Sequence, residues 1–381
     1  MLIEYGLRNF LSFKDGVTVS FRLDANAPDS VSQGRNFATL MCVKGANGSG
    51  KTHLLKGLAF IADFAVRSFA REPEDEILVD PFYGDTGPSE FFVEFGVGTN
   101  SYRYEIALSR KGVQYEALYR TQVKRVKLFE RSGDVLKNCT TAYAALKTMK
   151  LRGNASVVST ARQYEVKGLE PVIKFFSNIV SNVGYEGHRE RTFLHIDSVS
   201  KMCYKNPEAL NFAVDFIRTC DIGISNIKIE EQDIPGEEAK RYTPYFFHIV
   251  DNVEIPIRPS TESNGTKQLF RSLFAYQLVL ATGGVLVLDE FDVYLHPHIL
   301  PKLVAFFAEP EKNPKGAQLL FTTHSLEIID YSGRYRTYLV NKDENVSFAF
   351  RLDEIPGDIL RNDRSIIPAY REGRIRGVPR L

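Results

Sequence analysis

The octapeptide Gly45-Ala46-Asn47-Gly48-Ser49-Gly50-Lys51-Thr52 limits this chain more than any other stretch. It satisfies G-x-x-x-x-G-K-[ST] in full, a pattern that needs a strand before it and a helix after it. Both are legible. Thr39–Lys44 is a short apolar run of the strand type that ends in the glycine turn. Leu54, Leu55, Leu58, Ile61, Ala62, Ala65 and Phe69 then recur at helical spacing, which predicts a helix over Lys51–Phe69. Strand, glycine loop and helix in that order place the chain in the α/β class. The chemistry of such a loop is anion binding. Glycines let the backbone wrap phosphates, and free N–H groups with the helix N-terminus supply positive potential. Gly45, Asn47, Gly48, Ser49 and Gly50 shape the cradle, Lys51 can reach β- and γ-phosphates, and Thr52 offers a hydroxyl to Mg²⁺.

Three later stretches read as further parts of a phosphate site. Val285–Leu288 is fully apolar, the pattern of a parallel strand buried on both faces, and it runs into Asp289-Glu290. Carboxylates at the C-terminal end of such a strand face the crevice where α/β folds bind ligands. Asp289 would orient Mg²⁺ and Glu290 would polarise an attacking water. Gln318–Thr322 is a second buried strand, and His324 follows it, with an imidazole able to bond a γ-phosphate. Ser263-Asn264-Gly265-Thr266 opens a helix predicted over Thr266–Ala281. Ser263 and Gly265 there read either as a plain N-cap or as an anion site. The order of helix start, Asp-Glu strand and His324 favours the anion site.

The rest of the chain reads more coarsely. From Glu90 to about Lys137 the period is two, with breaks at Gly98-Thr99-Asn100 and Arg110-Lys111-Gly112 that predict antiparallel hairpins. Thr141–Cys220 reads as irregular helix, and Ile222–Ile229, Tyr245–Val250 and Val253–Ile257 as strands. Apolar residues at 44% and charged residues at 25% are ordinary for a globular protein and exclude a mainly disordered chain. No apolar run approaches the roughly 18 residues of a membrane span, so no membrane contact is expected. The start Met-Leu-Ile-Glu predicts no signal peptide. Cys42, Cys139, Cys203 and Cys220 lack CxxC spacing and read as free thiols, which predicts a cytoplasmic protein.

Taken together, the phosphate loop, the late Ser-x-Gly, the apolar strand ending Asp-Glu and the following His resemble the ABC-type ATPase heads of the RecF, SMC and OLD branch. Asn9-Phe10-Leu11-Ser12-Phe13, Tyr102-Arg103-Tyr104, Glu262–Thr266, Leu288–Asp292 and Leu295-His296-Pro297 are similar to stand-alone ATPases of bacterial anti-phage and abortive-infection systems, such as RloA-type proteins and the ATPase of PARIS systems. Arg361–Ser365, Tyr370, Gly373 and Gly377-Val378-Pro379 resemble the ends of those chains. The resemblance implies an ABC-type P-loop ATPase head, with a mixed sheet core, an antiparallel β part and an inserted helical lid. Its parts would be 1–140 (phosphate loop and β part), 141–240 (lid) and 241–381 (signature, Asp-Glu strand and His loop). It further implies ATP and Mg²⁺ as ligands, with Lys51 and Thr52 on phosphates and Mg²⁺, Asp289 on Mg²⁺, Glu290 on the water and His324 on the γ-phosphate. Ser263 and Gly265 would meet ATP held by a second copy, so a homodimer or higher homo-oligomer is expected. Ser-Asn-Gly-Thr departs from the Ser-Gly-Gly-Gln of transporters. The glutamine that usually couples the γ-phosphate to the lid has only Gln114, Gln122 and Gln163 as weak candidates.

Spacing and charge narrow the function classes. The 212 residues from Lys51 to Ser263 are too few and too irregular for a long coiled coil. The 57 residues after His324 do not hold the nuclease domain of OLD-family ATPases, so an effector in trans, a nuclease being the expected kind, is the reading. Residues 120–152 carry nine Lys/Arg against two acids, with Tyr119, Phe129 and Tyr143 interleaved. They read equally as a nucleic-acid contact, which a directly DNA-acting RecF-like ATPase would use, or as a solvated face. A nucleotide-locked scaffold with little turnover is the remaining alternative.

Overall fold

The computed structural model describes residues 1–184, 187–188, 195–220, 223–234, 236, 240–356, 360, 364–375 and 377. The first elements are β1 (Leu2–Arg8), β2 (Val17–Ser20), a short α1 (Asp29–Ser32), β3 (Leu40–Lys44) and α2 (Lys51–Arg67). Five strands follow: β4 (Ser89–Val97), β5 (Asn100–Ser109), β6 (Gly112–Thr121), β7 (Arg125–Ser132) and β8 (Val135–Cys139). Helices α3 (Val157–Gln163) and α4 (Glu170–Ser177) lead to β9 (Ile179–Ser181) and the two-residue strands β10 (Val183–Gly184) and β11 (Gly187–His188). Next come α5 (Ile196–Lys205), α6 (Pro207–Cys220), β12 (Ile224–Asp233), β13 (Lys240–Val250) and β14 (Val253–Ile257). The last stretch holds α7 (Asn264–Thr282), β15 (Val285–Leu288), α8 (Leu300–Ala308), β16 (Gln318–Thr322), α9 (Glu327–Ser332), β17 (Thr337–Asp343), β18 (Val346–Arg351) and α10 (Ile367–Arg371).

Two sheets organise these elements. The six-stranded sheet has the order β18-β17-β3-β16-β15-β9. Its strands are parallel except β18, which pairs antiparallel with β17. Because side chains alternate along a strand, its central strands feed two cores. Met41, Val43, Val285, Val287 and Leu320 face α2 and the antiparallel sheet. Leu40, Cys42, Leu286, Leu288, Leu319 and Phe321 face the layer that contains α6, α7 and α8. The continuous apolar runs read from the sequence are the signature of this double burial. The second sheet, β2-β1-β4-β5-β6-β7-β8, is antiparallel throughout. A mixed α/β core with an antiparallel β part is therefore what the chain builds, as expected.

The stretch 141–240, expected as one helical lid, is divided between the two cores. Tyr143, Leu146, Val157, Val158, Val172 and Phe176 pack in the core of the antiparallel sheet, and Phe175 stacks on Phe95 with centroids 3.9 Å apart. β9 then pairs with β15 inside the central sheet. Only after it do α5, α6 and the sheet β12-β13-β14 form a layer with α7. The helical reading of Thr141–Cys220 missed β9 because Ile179–Ser181 is three residues long and its partner lies more than 100 residues away. Of the C-terminal motif, Arg361, Asn362, Asp363, Val378 and Pro379 lie outside the described residues.

A buried ion pair stitches α3 to the antiparallel sheet. Glu116 and Arg131 are both 0% exposed, with Arg131 Nη1 3.5 Å from Glu116 Oε2. Glu116 accepts from Tyr104 Oη at 3.0 Å and from the Val157 N–H at 2.9 Å. Arg131 donates to the carbonyls of Gly133 (2.5 Å), Ala155 (2.6 Å) and Arg152 (2.7 Å). A buried charge without such partners would cost several kcal/mol.

Candidate active site

The phosphate loop lies between β3 and α2, as the pattern requires. Gly48 and Gly50 adopt φ of +73° and +108°, which other residues rarely tolerate. A Cβ at Gly50 would meet Ser347 Oγ at 2.6 Å and Ser12 Oγ at 2.8 Å. Ser347 Oγ in turn donates to Ser49 O at 2.6 Å, which leaves it to accept from Ser12 Oγ at 2.7 Å. Ser12 Oγ and His53 Nδ1 share a hydrogen bond of 2.8 Å. The Asn9–Phe13 turn and the β17–β18 hairpin thus brace the loop from behind. Ser49 Oγ is buried with no hydrogen-bond partner among the described residues. Lys51 Nζ donates to Gly45 O (3.0 Å) and Ala46 O (3.1 Å), curled over its own loop. Burial pulls the Lys51 pKa down, with Asp289, Glu290 and Asp292 opposing.

The carboxylates arrive by strand parity. Asp289 continues the alternation of Val285 and Val287 toward the α2 side of the sheet, where Thr52 sits in the first turn of α2. Thr52 Oγ1 donates to Asp289 Oδ2 at 2.7 Å, and Thr322 Oγ1 donates to Asp289 Oδ1 at 2.6 Å. Thr322 Oγ1 also accepts from the Glu290 N–H at 2.7 Å, so one hydroxyl sets both acidic residues. Asp289 is buried and Glu290 exposed. Glu290 has φ +49°, a left-handed conformation that costs a non-glycine residue of order 1–3 kcal/mol. That turn separates the two carboxylates: one is held inside the hydroxyl pair, the other is presented outside it. A hydroxyl and a carboxylate 2.7 Å apart are hard oxygen donors that suit Mg²⁺.

His324 is exposed beyond β16, and its loop is held by groups the sequence reading did not assign. The Asp292 carboxylate accepts from the His324 N–H (3.0 and 3.1 Å) and the Ser325 N–H (3.1 Å). Lys44, buried just ahead of the phosphate loop, donates to Ser325 O at 2.9 Å. Asn182, at the end of β9, is bonded to Asp289 at both its N–H and C=O. Asp292 stood in the quoted Leu288–Asp292 motif, but Asn182 carried no sequence signal.

Ser263 and Gly265 occupy the N-terminus of α7. Ser263 is its N-cap, with Oγ accepting from the Thr266 N–H at 3.1 Å. Glu262 holds the Ser263 N–H at 2.6 Å and His248 Nε2 at 2.8 Å. Gly265 lies against Tyr294, where a Cβ would stand 3.0 Å from Tyr294 O. Neither Ser263 nor Gly265 is hydrogen-bonded to the phosphate loop, Asp289 or Glu290 in the described structure. The basic stretch 120–152 is partly spent inside the fold. Arg131 and Arg152 bond backbone carbonyls, Lys127 pairs with Glu130, and Arg125 lies over Tyr119 while pairing with Glu105. Gln114 and Gln122 lie on or beside the antiparallel sheet and Gln163 ends α3, so none joins the end of β15.

A glycine cradle, a lysine, a threonine–aspartate pair and an exposed glutamate on one parallel sheet define a P-loop ATPase. The chain belongs to the family described as "AAA domain, putative AbiEii toxin, Type IV TA system", whose model matches residues 40–330. No curated protein matches the sequence significantly. Among solved structures, the SMC head domain from Thermotoga maritima is similar at 15% identity and a TM-score of 0.47, over 92% of this chain and 98% of that one. An SMC head bound to the C-terminal winged-helix domain of ScpA gives 13% identity and a TM-score of 0.48, over 92% and 97%. RecF with ATP gives 12% identity and a TM-score of 0.36, over 85% and 91%. Among the described residues no helix is long and apolar enough to cross a membrane.

Proposed function

We propose that this ATPase hydrolyses ATP with Mg²⁺ between two copies of the chain, as the sensing or scaffolding component of a bacterial anti-phage system whose effector is a separate protein, a nuclease being the expected kind. The hydrogen-bond chain Thr52–Asp289–Thr322–Glu290 carries the chemical half of the reading. Lys51 and the loop N–H groups bind the β- and γ-phosphates. Thr52 and Asp289 hold Mg²⁺, which would neutralise phosphate charge. Glu290 accepts the proton of the attacking water, and His324 donates to a γ-phosphate oxygen. Ser263 and Gly265, at the positive end of α7, meet the phosphate of the neighbouring copy. The family's description, which joins an AAA domain to a type IV toxin–antitoxin system, supports the defence half.

The test has two readouts. ATP added to Glu290→Gln raises the mass measured by light scattering, because nucleotide trapped between copies stabilises the assembly by linkage. Ser263→Arg abolishes both that increase and turnover without unfolding. Turnover by Ser263→Arg at the wild-type rate contradicts a shared site. In cells, the chain protects against phage only with its operon neighbour, and Lys51→Ala removes protection. Full protection by the isolated chain returns weight to a RecF-like, directly DNA-acting ATPase.

A further inference from the structure

We infer that Asn182 is a positioning residue for the hydrolytic carboxylates, acting on Glu290 through the Asp289 peptide units. The inference rests on the reading of Asp289 and Glu290 just given. Asn182 is 7% exposed and directly follows β9. Its Oδ1 accepts from the Asp289 N–H at 2.7 Å, and its Nδ2 donates to Asp289 O at 2.9 Å. Its own N–H donates to Val287 O at 3.1 Å. One side-chain amide thus does for the Asp289 peptide units what a further residue of the ladder would do, just where β9 and β15 end. Asp289 O belongs to the peptide bond that leads into Glu290, the residue with φ +49°. Losing the amide leaves that bond to rotate about the Thr322 contact alone.

A cavity of about 470 Å³ lies along β9 and α2, walled in part by Phe10, Phe60, Ile179, Ser181 and Val183. Both neighbours of Asn182 line this cavity, and the hydrogen bonds of Asn182 extend the β9–β15 ladder one residue beyond the Ser181–Val287 pair. On one side of Asn182 the chain leads back through β9 to α4, whose Phe175 and Phe176 are locked on Phe95 and Tyr104 of the antiparallel sheet. On the other side it leads into the segment that ends in α5, α6 and β12–β14.

Asn182→Ala and Asn182→Asp test this. The Asp variant keeps the size and the acceptor for the Asp289 N–H, but loses the donor to Asp289 O and sets a second negative charge beside Asp289. Partners that hold a metal ligand typically contribute 10–100-fold to activity or metal affinity. Both variants should lower kcat for ATP about 10–100-fold while KM changes less than about threefold. Both should also shrink the ratio of ATP affinity in Mg²⁺ to that in EDTA, measured by calorimetry without turnover. A purely structural role predicts a different pattern: Asn182→Asp close to wild type, or kcat, KM and melting temperature falling together. Either result overturns the inference. Glu290→Gln in the same assay separates the two layers. If wild type turns over, Glu290→Gln does not and Asn182→Ala does at full rate, this inference fails alone. If Glu290→Gln retains full turnover, the reading beneath it fails.

Discussion

At the centre of the antiparallel sheet and at the end of β15, the chain buries carboxylates in much the same way and uses them differently. Glu116 is fully buried, faces an equally buried Arg131, and accepts from Tyr104 and Val157. Arg131 spends its donors on three backbone carbonyls. Both charges are matched by groups of the fold itself, so the pair holds α3 in place and has nothing left for a ligand. Asp289 is also buried, but its partners are two hydroxyls, Thr52 and Thr322, which can turn to another partner. The next residue is a carboxylate held outside in a left-handed turn. Burial of a charge therefore does not mark a site. Exchangeable partners beside a strained, exposed acid do.

The largest expected effect lies on the structural side of this contrast. Arg131→Met strands Glu116 without its cation, and breaking a buried pair by removing one partner costs about 3–5 kcal/mol. Chemical denaturation should show that loss, while ATP turnover per folded molecule stays within about twofold of wild type. A loss below about 1 kcal/mol would mean that the Glu116–Arg131 network is not the anchor described.

Lys51→Ala should do the reverse. It removes a charged donor from the nucleotide, and hydrogen bonds to charged groups contribute about 1.5–3 kcal/mol, so ATP affinity should fall roughly 10–150-fold. Its unfolding free energy should change by less than about 1 kcal/mol, since Lys51 bonds only loop carbonyls in the fold. Equal losses in affinity and stability would erase the distinction between the two regions.

The smallest effect concerns Lys44, a buried cation on the site side that donates to Ser325 O. Burial draws its pKa from 10.5 to about 8, with Cys42 and Asp292 opposing and Lys51 adding to the shift. The unfolded chain keeps this proton up to about 10.5, whereas the folded chain releases it near 8. Between those values the unfolded state binds more protons, so the Lys44 contribution to stability rises with pH. The difference in unfolding free energy between wild type and Lys44→Met should therefore grow in favour of wild type from pH 8 to 10.5. A difference that stays flat with pH would contradict a Lys44 whose burial lowers its pKa on folding.

What the sequence disclosed follows the same division. Gly45–Thr52, Val285–Glu290 and Thr322–His324 were legible because each is a contiguous stretch whose chemistry and strand or helix sit side by side. Asn182 was not, since its partner is 107 positions away and β9 is too short to show a period. The charge count of residues 120–152 left two readings open for a related reason. Composition does not say which way a side chain points, and Arg131 and Arg152 turn inward to carbonyls. The division of 141–240 between two cores was hidden because both halves are amphipathic and only pairing through β9 separates them.

The most direct measurement is ATP turnover by Glu290→Gln beside its ATP affinity. Glutamine keeps the shape and hydrogen bonding of the side chain but does not accept the water's proton. General-base assistance contributes about 10²–10⁴-fold, so turnover should fall by at least about 100-fold. ATP should still bind within about threefold of wild type, and the melting temperature should not drop. Turnover at the wild-type rate, or loss of ATP binding along with turnover, would contradict a hydrolytic role for the acid presented at the end of β15.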